Sequence, residues 1–514
     1  TGADSAWDAS KYNGYAYANL GSDGYEAGIS RDVWLSRSNF KETYPAKRHS
    51  GASGSLVNAA NRYYNDAYAE LLPKDYKKEI DAELYLAVLV TKDAEGKIIS
   101  TEKPTKAHLE GAKPDEGTTL EYNWDLIEAL TENYDSELWE TFLNQMSADE
   151  MRDLVHMGGF RRVAVESVGK PRQYDYDGPA GFNTNSLSGS WSSESDRNSW
   201  TAYESEALIG CSWDKGLMLA LGLQQGAEAI ATHVNGWYAP GVNLHRSNYS
   251  ARNYEYYSED AVLSGKLAAK VILGAKINGL NCYIKHFACS EEGPNPREVN
   301  TWISEQNLRE NYLRPFEIAV KEGGANSVMT AFNNIGSVWA GANYAMNVEV
   351  LRNEWGFRGS LITDYSTGGS EGGMYTRQGV RAGNDMWLNP NPGSISNGLD
   401  MSKDEVFARN AAHNILYTAV DTLNTYNTYK NNPGLIGEYK DILTQYGATL
   451  GISFNEEGFS WWKVVLIIID VLVFLGFVVW ALFLLFPVKE ILRKRFGKNR
   501  EEVSGESEPL PENE

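Results

Sequence analysis

The stretch LMLALGLQQGAEAIATHVNGWYAPGVNL (Leu217–Leu244) decides the fold. Its first half, Leu217 to Ala231, has the apolar spacing of an amphipathic helix, and its second, Trp237 to Leu244, suits a short buried strand. The same unit then recurs. A helix is expected over Ala261 to Lys276 before a strand at Leu280 to Ala288, and another over Ser304 to Lys321 before a strand at Ser327 to Asn333. Further strand candidates are Arg162 to Glu166, Ala207 to Cys211, Ser360 to Asp364 and Asp385 to Leu388. The alternation begins at Ser147-Ala-Asp-Glu150, a capping-box pattern that opens a helix. Strands and helices in strict alternation imply parallel βα units. About 290 residues of them, 141–430, point to an α/β TIM-like barrel. A doubly wound sheet is the alternative, but no GxGxxG or Walker sequence follows any of these strands.

Outward from the barrel, residues 1–45 are turn-rich and suit the end of a truncated β-rich domain, fibronectin-like in kind. Residues 46–140 form a connector or insert with a helix at Ser55 to Leu72, a β-like run at Glu83 to Val90 and a hairpin-like turn at Asp93 to Gly96. The polar start at Thr1 has neither an initiator Met nor a signal peptide, so the chain reads as processed or as a fragment. Beyond a juxtamembrane segment, 431–463, the run VVLIIIDVLVFLGFVVWALFLLF (Val464–Phe486) is apolar but for Asp470, long enough for one transmembrane helix. Trp461 and Trp462 sit at one boundary, and Lys489, Arg493, Lys494, Arg495, Lys498 and Arg500 lie beyond the other. By the positive-inside rule the tail, 487–514, is cytoplasmic and the barrel extracytoplasmic. The expected localisation is a single-pass protein of the cell membrane, with the bilayer as a partner.

Composition narrows the chemistry. With 47 Lys and Arg against 68 Asp and Glu, the net charge is −21, which repels phosphate backbones and argues against nucleic acid. Fifteen Trp and 30 Tyr supply flat faces suited to sugar rings, as well as to cores. Cys211, Cys282 and Cys289 fit neither a disulfide framework nor paired metal-ligand spacing, and read as buried thiols. No ligand cluster of His, Cys and carboxylate implies a metal, and no organic cofactor is expected.

Chemistry in such barrels sits at the C-terminal ends of the strands. There the sequence places Asp177-Gly-Pro, Arg252 with Asn253 and Glu255, Lys285-His286, Met329 and Asp364. Carboxylates, an Arg, a Lys and a His converging on one mouth suit a neutral polyol read by its hydroxyls.

The series ARNYEYYSED (Ala251–Asp260), KHFA (Lys285–Ala288), REVNTWISEQNLRENYLRPFE (Arg297–Glu317), SVMTAFN (Ser327–Asn333) and LRNEWGFRGSLITDY (Leu351–Tyr365) resembles the signature motifs of glycoside hydrolase family three in order and spacing. DGPAG (Asp177–Gly181) resembles the opening loop of the same barrel. The resemblance implies a retaining, exo-acting β-glycosidase of the β-glucosidase type. Asp364 is then the nucleophile, and Asp177, Arg252, Lys285 and His286 hold the terminal non-reducing sugar. Arg297, Met329 and Tyr365 line the pocket. Lys285 and Arg252 are expected to keep Asp364 ionised. Glu255 and Glu259 are given structural roles, in which the motif's Glu and Asp order the loop and cap the next helix. Two positions depart from the family: Phe332 stands where Tyr is common, and Tyr365 where Trp commonly follows the nucleophile.

A retaining pair needs a second carboxyl about 5 Å from the first. Most of the family supplies it from an α/β-sandwich domain that is not visible after this barrel. Members with reversed domain order carry the sandwich ahead of it, which makes an upstream α/β-sandwich domain the expected source of the acid/base. Glu291, Glu292 and Glu305 are possible local acids, read here as solvated or ion-paired. The partner is an oligosaccharide or β-glucoside. The alternatives are a β-xylosidase or exo-β-glucanase of the same family, or a catalytically impaired fragment that binds surface glycans.

Overall fold

The computed structural model describes residues 80, 82–183, 200–291, 299–336, 338–366, 374–389, 398–436, 439, 469, 471–476 and 478. The expected β-rich start at 1–45, the helix at Ser55 to Leu72, Glu292 and Arg297 lie outside them, as does most of the apolar run 464–486.

The first described elements form an antiparallel sheet of β1 (Ala87–Lys92), β2 (Ile98–Glu102) and β3 (Thr118–Tyr122), in the order β2-β1-β3. The hairpin turn falls at Asp93, whose Oδ1 accepts from the backbone of Lys97 at 2.8 Å. Three helices follow, α1 (Trp124–Glu132), α2 (Glu137–Asn144) and α3 (Ala148–His156). The capping box is present at the start of α3: Ser147 Oγ accepts from the backbone of Glu150, and Glu150 Oε2 accepts from the backbone of Ser147.

The central sheet then runs β4 (Arg161–Arg162), β5 (Gln173–Asp177), α4 (Glu206–Gly210), α5 (Lys215–Ala231), β6 (Gly236–Tyr238), α6 (Ala261–Ile277) and β7 (Asn281–Phe287). The chain continues through β8 (Asn300–Thr301), α7 (Arg314–Gly323), β9 (Ser327–Thr330), β10 (Asn334–Ile335), β11 (Val338–Trp339) and β12 (Ser360–Thr363) to α8 (Thr376–Arg381) and α9 (Met401–Asn431); β9 and β12 extend the central sheet, whereas β8, β10 and β11 form a separate sheet in the order β11-β10-β8. Strands β5, β6, β7, β9 and β12 are parallel neighbours in chain order. That sequential order separates a barrel from a doubly wound sheet, whose order reverses at a switch point. The circuit continues from β12 through the bridge Ile362 to Met386, and Trp387 N donates to Val155 O at 2.9 Å. Phe160 O in turn accepts from Asp175 N of β5 at 3.1 Å. The residues 1–452 form one compact unit and 453–514 another.

Residues before the barrel share its core. Leu126, Ile127, Leu130, Trp139 and Phe142 of α1 and α2 lie in the same apolar cluster as Ala411, Ile415 and Leu416 of α9. Burying such side chains is worth roughly 1.5–3 kcal/mol each.

Several expected elements differ. Ala207 to Cys211 is helical, because Ser205 caps it by accepting from Leu208 N, and a local cap overrides a short apolar run. Cys211 is consequently exposed, while Cys282 and Cys289 are buried. Of Arg162 to Glu166 only Arg162 lies in a strand, the two-residue β4, and the longer strand is β5, QYDYD. Its charged pattern disguised it: Asp175 is fully buried and accepts from Arg162 at 3.0 Å and from Tyr283 at 3.0 Å. The helix expected over Ser304 to Lys321 breaks at a π-turn, Leu308–Tyr312, just before Pro315, which has no N–H to continue a ladder. Asp385 to Leu388 reduces to the single bridge at Met386. Among the described residues no helix is long and apolar enough to cross a membrane; within 464–486, residues 471–476 are helical and expose Val471, Leu472, Val473, Phe474 and Leu475.

Candidate active site

Parallel strands bring their C-terminal ends to one mouth, and that is where the expected polar residues meet. Asp177 ends β5, Lys285 and His286 lie in β7, and Asp364 directly follows β12, with its N–H on Thr330 O at 3.1 Å. Arg252 and Glu255 come from the loop after β6, and Asp260 at its end caps α6 by accepting from Val262 N and Leu263 N. In a regular strand Lys285 and His286 would face opposite sides. The register of β7 against β9 shifts between Lys285 and Phe287, and such a bulge re-aims side chains. Both residues reach the same cluster.

Lys285 Nζ donates to Asp177 Oδ1 at 2.9 Å and lies 3.3 Å from Glu255 Oε2. Arg252 donates through Nε to Glu255 and through Nη2 to His286 Nε2 at 2.6 Å, and its Nη1 is 3.6 Å from Asp364 Oδ2. His286 Nε2 is also 3.6 Å from that oxygen. Because Nε2 accepts from Arg252, the ring proton sits on Nδ1 and is donated to Tyr256 Oη at 3.0 Å. Asp364 Oδ1 accepts from the backbone of Tyr365 at 2.7 Å. Its Oδ2 is buried with no hydrogen-bond partner among the described residues.

Electrostatics sort the carboxyls. Burial pushes Asp177 up, but Lys285 outweighs it and holds the group below the usual range. Glu255 is likewise held low, burial being overcome by Lys285 and Arg252. Both stay ionised and neither has a proton to give near neutral pH. At Asp364 burial wins instead, raising the carboxyl above its ordinary value against the pull of Arg252 and Lys285. Arg252 and Lys285 act in the expected direction, favouring the ionised form, and offset part of the desolvation. Burial, with Arg252 and Lys285, drives His286 far down, so the imidazole is neutral.

The remaining expected residues divide. Met329 lies buried in β9 within the barrel core cluster, and Tyr365 is partly buried against that cluster. Glu305 is buried and paired with Arg309 at 2.8 Å. Glu291, read as solvated or ion-paired, is buried and hydrogen-bonded to Asn243. Tyr256 and Asn243 were missed, and a Tyr in a Tyr-rich run and a lone Asn carry no signal of their own. Beside the cluster opens a cavity of about 600 Å³ lined by Asp177, Phe182, Trp200, Arg252, Tyr254 and Glu255, large enough for a sugar. A second cavity of about 390 Å³ lies among Tyr134, Trp139, Arg352, Arg381 and His413. Its arginines are already paired, Arg352 with Asp385 and Arg381 with Asp404. Among the described residues no group of His, Cys, Asp and Glu could hold a metal ion.

The site thus sets a desolvated carboxylate oxygen beside two cations and a neutral imidazole at the strand ends of the barrel. Residues 191–409 match the family model for the glycosyl hydrolase family 3 N terminal domain. The barrel region is thus similar to a glycoside hydrolase family 3 domain of the β-glucosidase type. Its relatives include beta-glucosidase A of Butyrivibrio fibrisolvens, 31% identical over 48% of this chain and 29% of the relative. Thermostable beta-glucosidase B of Acetivibrio thermocellus is 31% identical over 55% and 36%. Among solved structures, beta-glucosidase 3B of Thermotoga neapolitana with glucose has TM-score 0.50 and 29% identity, covering 60% of this chain and 46% of that one. The chain thus spans about a third of the length of these curated relatives.

Proposed function

We propose that this family 3 domain belongs to a retaining exo-β-glycosidase that releases terminal non-reducing β-glucosyl residues, with Asp364 as its nucleophile. The observation that carries the reading is Asp364 Oδ2, buried at a strand end with no hydrogen bond among the described residues and flanked at 3.6 Å by Arg252 and His286. In the first step this oxygen bonds to the anomeric carbon as the glycosidic C–O bond breaks and the leaving oxygen takes a proton. Water then hydrolyses the glycosyl ester. Asp177, Lys285, Arg252 and His286 hold the sugar hydroxyls, with Arg297, Met329 and Tyr365 around them. An intact nucleophile favours catalysis over glycan binding alone.

Asp177 and Glu255, held ionised, are poor general acids; the proposal takes the acid from the upstream α/β-sandwich domain that the family resemblance implies. Loss of a general acid costs about 10²–10⁴ in rate and falls hardest on leaving groups that need a proton. A fluorinated dinitrophenyl β-glucoside leaves as a phenolate and needs none. It should label the chain at Asp364, identified by mass spectrometry of a peptic digest, while cellobiose-like disaccharides are barely hydrolysed. Labelling of another carboxylate would remove the assignment, and brisk disaccharide hydrolysis would place the acid within this chain.

The run 464–486 is proposed as a membrane anchor with the barrel outside, supported by its apolar length and the basic residues after Phe486. Protease added to intact cells should digest epitopes before Trp461 and spare a C-terminal one; the opposite pattern would reverse the topology.

A further inference from the structure

The turn after β7 buries a carboxyl group that none of these steps uses. Glu291 is 3% exposed, and its Oε1 accepts from Asn243 Nδ2 at 3.1 Å and from Leu244 N at 3.5 Å. Asn243 is itself fully buried and grips the backbone of His286 twice: its Oδ1 accepts from His286 N at 2.6 Å, and its Nδ2 donates to His286 O at 3.1 Å. Both amide protons of Asn243 are therefore assigned, one to His286 and one to Glu291, which leaves the amide a single orientation. The imidazole is tied to the same turn by another route. His286 Nδ1 donates to Tyr256 Oη, and Tyr256 donates to Ser290 O at 3.4 Å, the residue next to Glu291. One turn thus holds both the backbone and the ring of the histidine that faces the nucleophile.

We infer that Glu291 is a positioning residue for His286, fixing through Asn243 where the imidazole, and the Arg252 guanidinium it accepts from, stand against Asp364. The inference rests on the reading of Asp364 as nucleophile. Glu291 shares the Asn243 side chain with the backbone of His286, so it acts on the site through that side chain. The groups that face it are Arg246, Tyr256, Cys289 and Tyr312, and His286 meets the far side of Asn243. Burial pushes Cys289 and Tyr256 well up and Tyr312 up to about 12, and His286 is driven far down, so none of these four changes charge near neutrality. Burial raises Glu291 itself to about 7, against its bonds from Asn243 and Leu244 and the charge of Arg246. Its carboxyl consequently ionises near neutral pH, and an ionised acceptor holds the Asn243 amide more firmly than a neutral one.

The test is the rate of labelling of the full chain by the fluorinated glucoside, measured as a function of reagent concentration from pH 5 to 9. In the wild type the apparent affinity should tighten as pH rises through about 7. Glu291→Gln, which keeps an acceptor but cannot ionise, should still label at Asp364 with that limb absent. Glu291→Ala and Asn243→Ala should each weaken affinity about tenfold, the scale of a buried group left unpaired, and the double variant no more than either alone. A wild-type pH profile retained in Glu291→Gln, or additive losses in the double variant, would overturn the inference. So would loss of disaccharide hydrolysis in Glu291→Gln that added azide restores, since that marks a proton donor. Failure of the wild type to label at Asp364 would instead sink the nucleophile reading, a separate outcome.

Discussion

Two clusters of buried charge lie in this barrel, built from the same residue types and doing different things. At one, Asp404 on α9 accepts from Arg381 at 2.6 Å and 3.0 Å, from Arg377 at 2.7 Å and from Asp400 N at 2.9 Å, so both oxygens are occupied. Asp385 nearby is equally saturated, by Arg352, Leu361 N and Asn414. At the mouth, Asp364 has one oxygen bonded to Tyr365 N and the other bonded to nothing among the described residues, with its cations 3.6 Å away or turned to other carboxylates. A saturated carboxylate holds elements together; an unsaturated one carries an unmet desolvation cost that a ligand can relieve. Saturation, more than residue type, separates the Asp404 cluster from the one proposed to react.

The comparison breaks most sharply at Asp364. Asp364→Asn should abolish labelling, a loss of at least about 10³-fold, with the fold intact by circular dichroism; residual labelling elsewhere would show that the unsaturated oxygen is not the reacting one. At the saturated cluster the effect should fall on stability instead. Asp404→Asn leaves two arginines short of their partner and should cost about 3–5 kcal/mol, read as a lowered denaturant midpoint, and no loss there would mean the pairs contribute little.

Lys285→Met sharpens the contrast from the cation side, because it leaves Asp177 and Glu255 facing each other without a counterion. Glucose affinity by calorimetry should fall by about 1.5–3 kcal/mol, and part of it should return at low pH as one of the two carboxyls takes a proton.

The smallest expected effect is on the pH dependence of stability. Asp364 is raised in the folded chain, so above pH 3.8 the unfolded chain ionises it more readily and the native state loses stability up to the folded pKa. Asp364→Asn removes that loss. It should melt slightly higher than the wild type at pH 7, and the two should converge below pH 3.8. A lower melting temperature at pH 7 would mean that Arg252 and Lys285 gain more from the carboxylate than burial costs.

The sequence alone determined the barrel and its mouth. Helical spacing at Leu217 to Ala231 and Ala261 to Lys276, and apolar runs at Leu280 to Ala288 and Ser360 to Asp364, are local patterns that burial on a parallel sheet demands, and strand ends follow from strand positions. Lys285, His286 and Asp364 were legible for that reason, each standing at or near such an end, whereas Asp177 and Arg252 were legible through the DGPAG and ARNYEYYSED motifs. Tertiary structure decided what depends on partners distant in the chain. β5 hid because Arg162, 13 positions away, neutralises Asp175 within the core, and no period reveals a charge that is cancelled. The bulge in β7 that puts Lys285 and His286 on one side comes from its register against β9, a property of two strands together. The carboxyls diverge in the same way: neighbouring cations hold Asp177 and Glu255 low while burial raises Asp364 and Glu291, and desolvation exists only once the surrounding chain has packed.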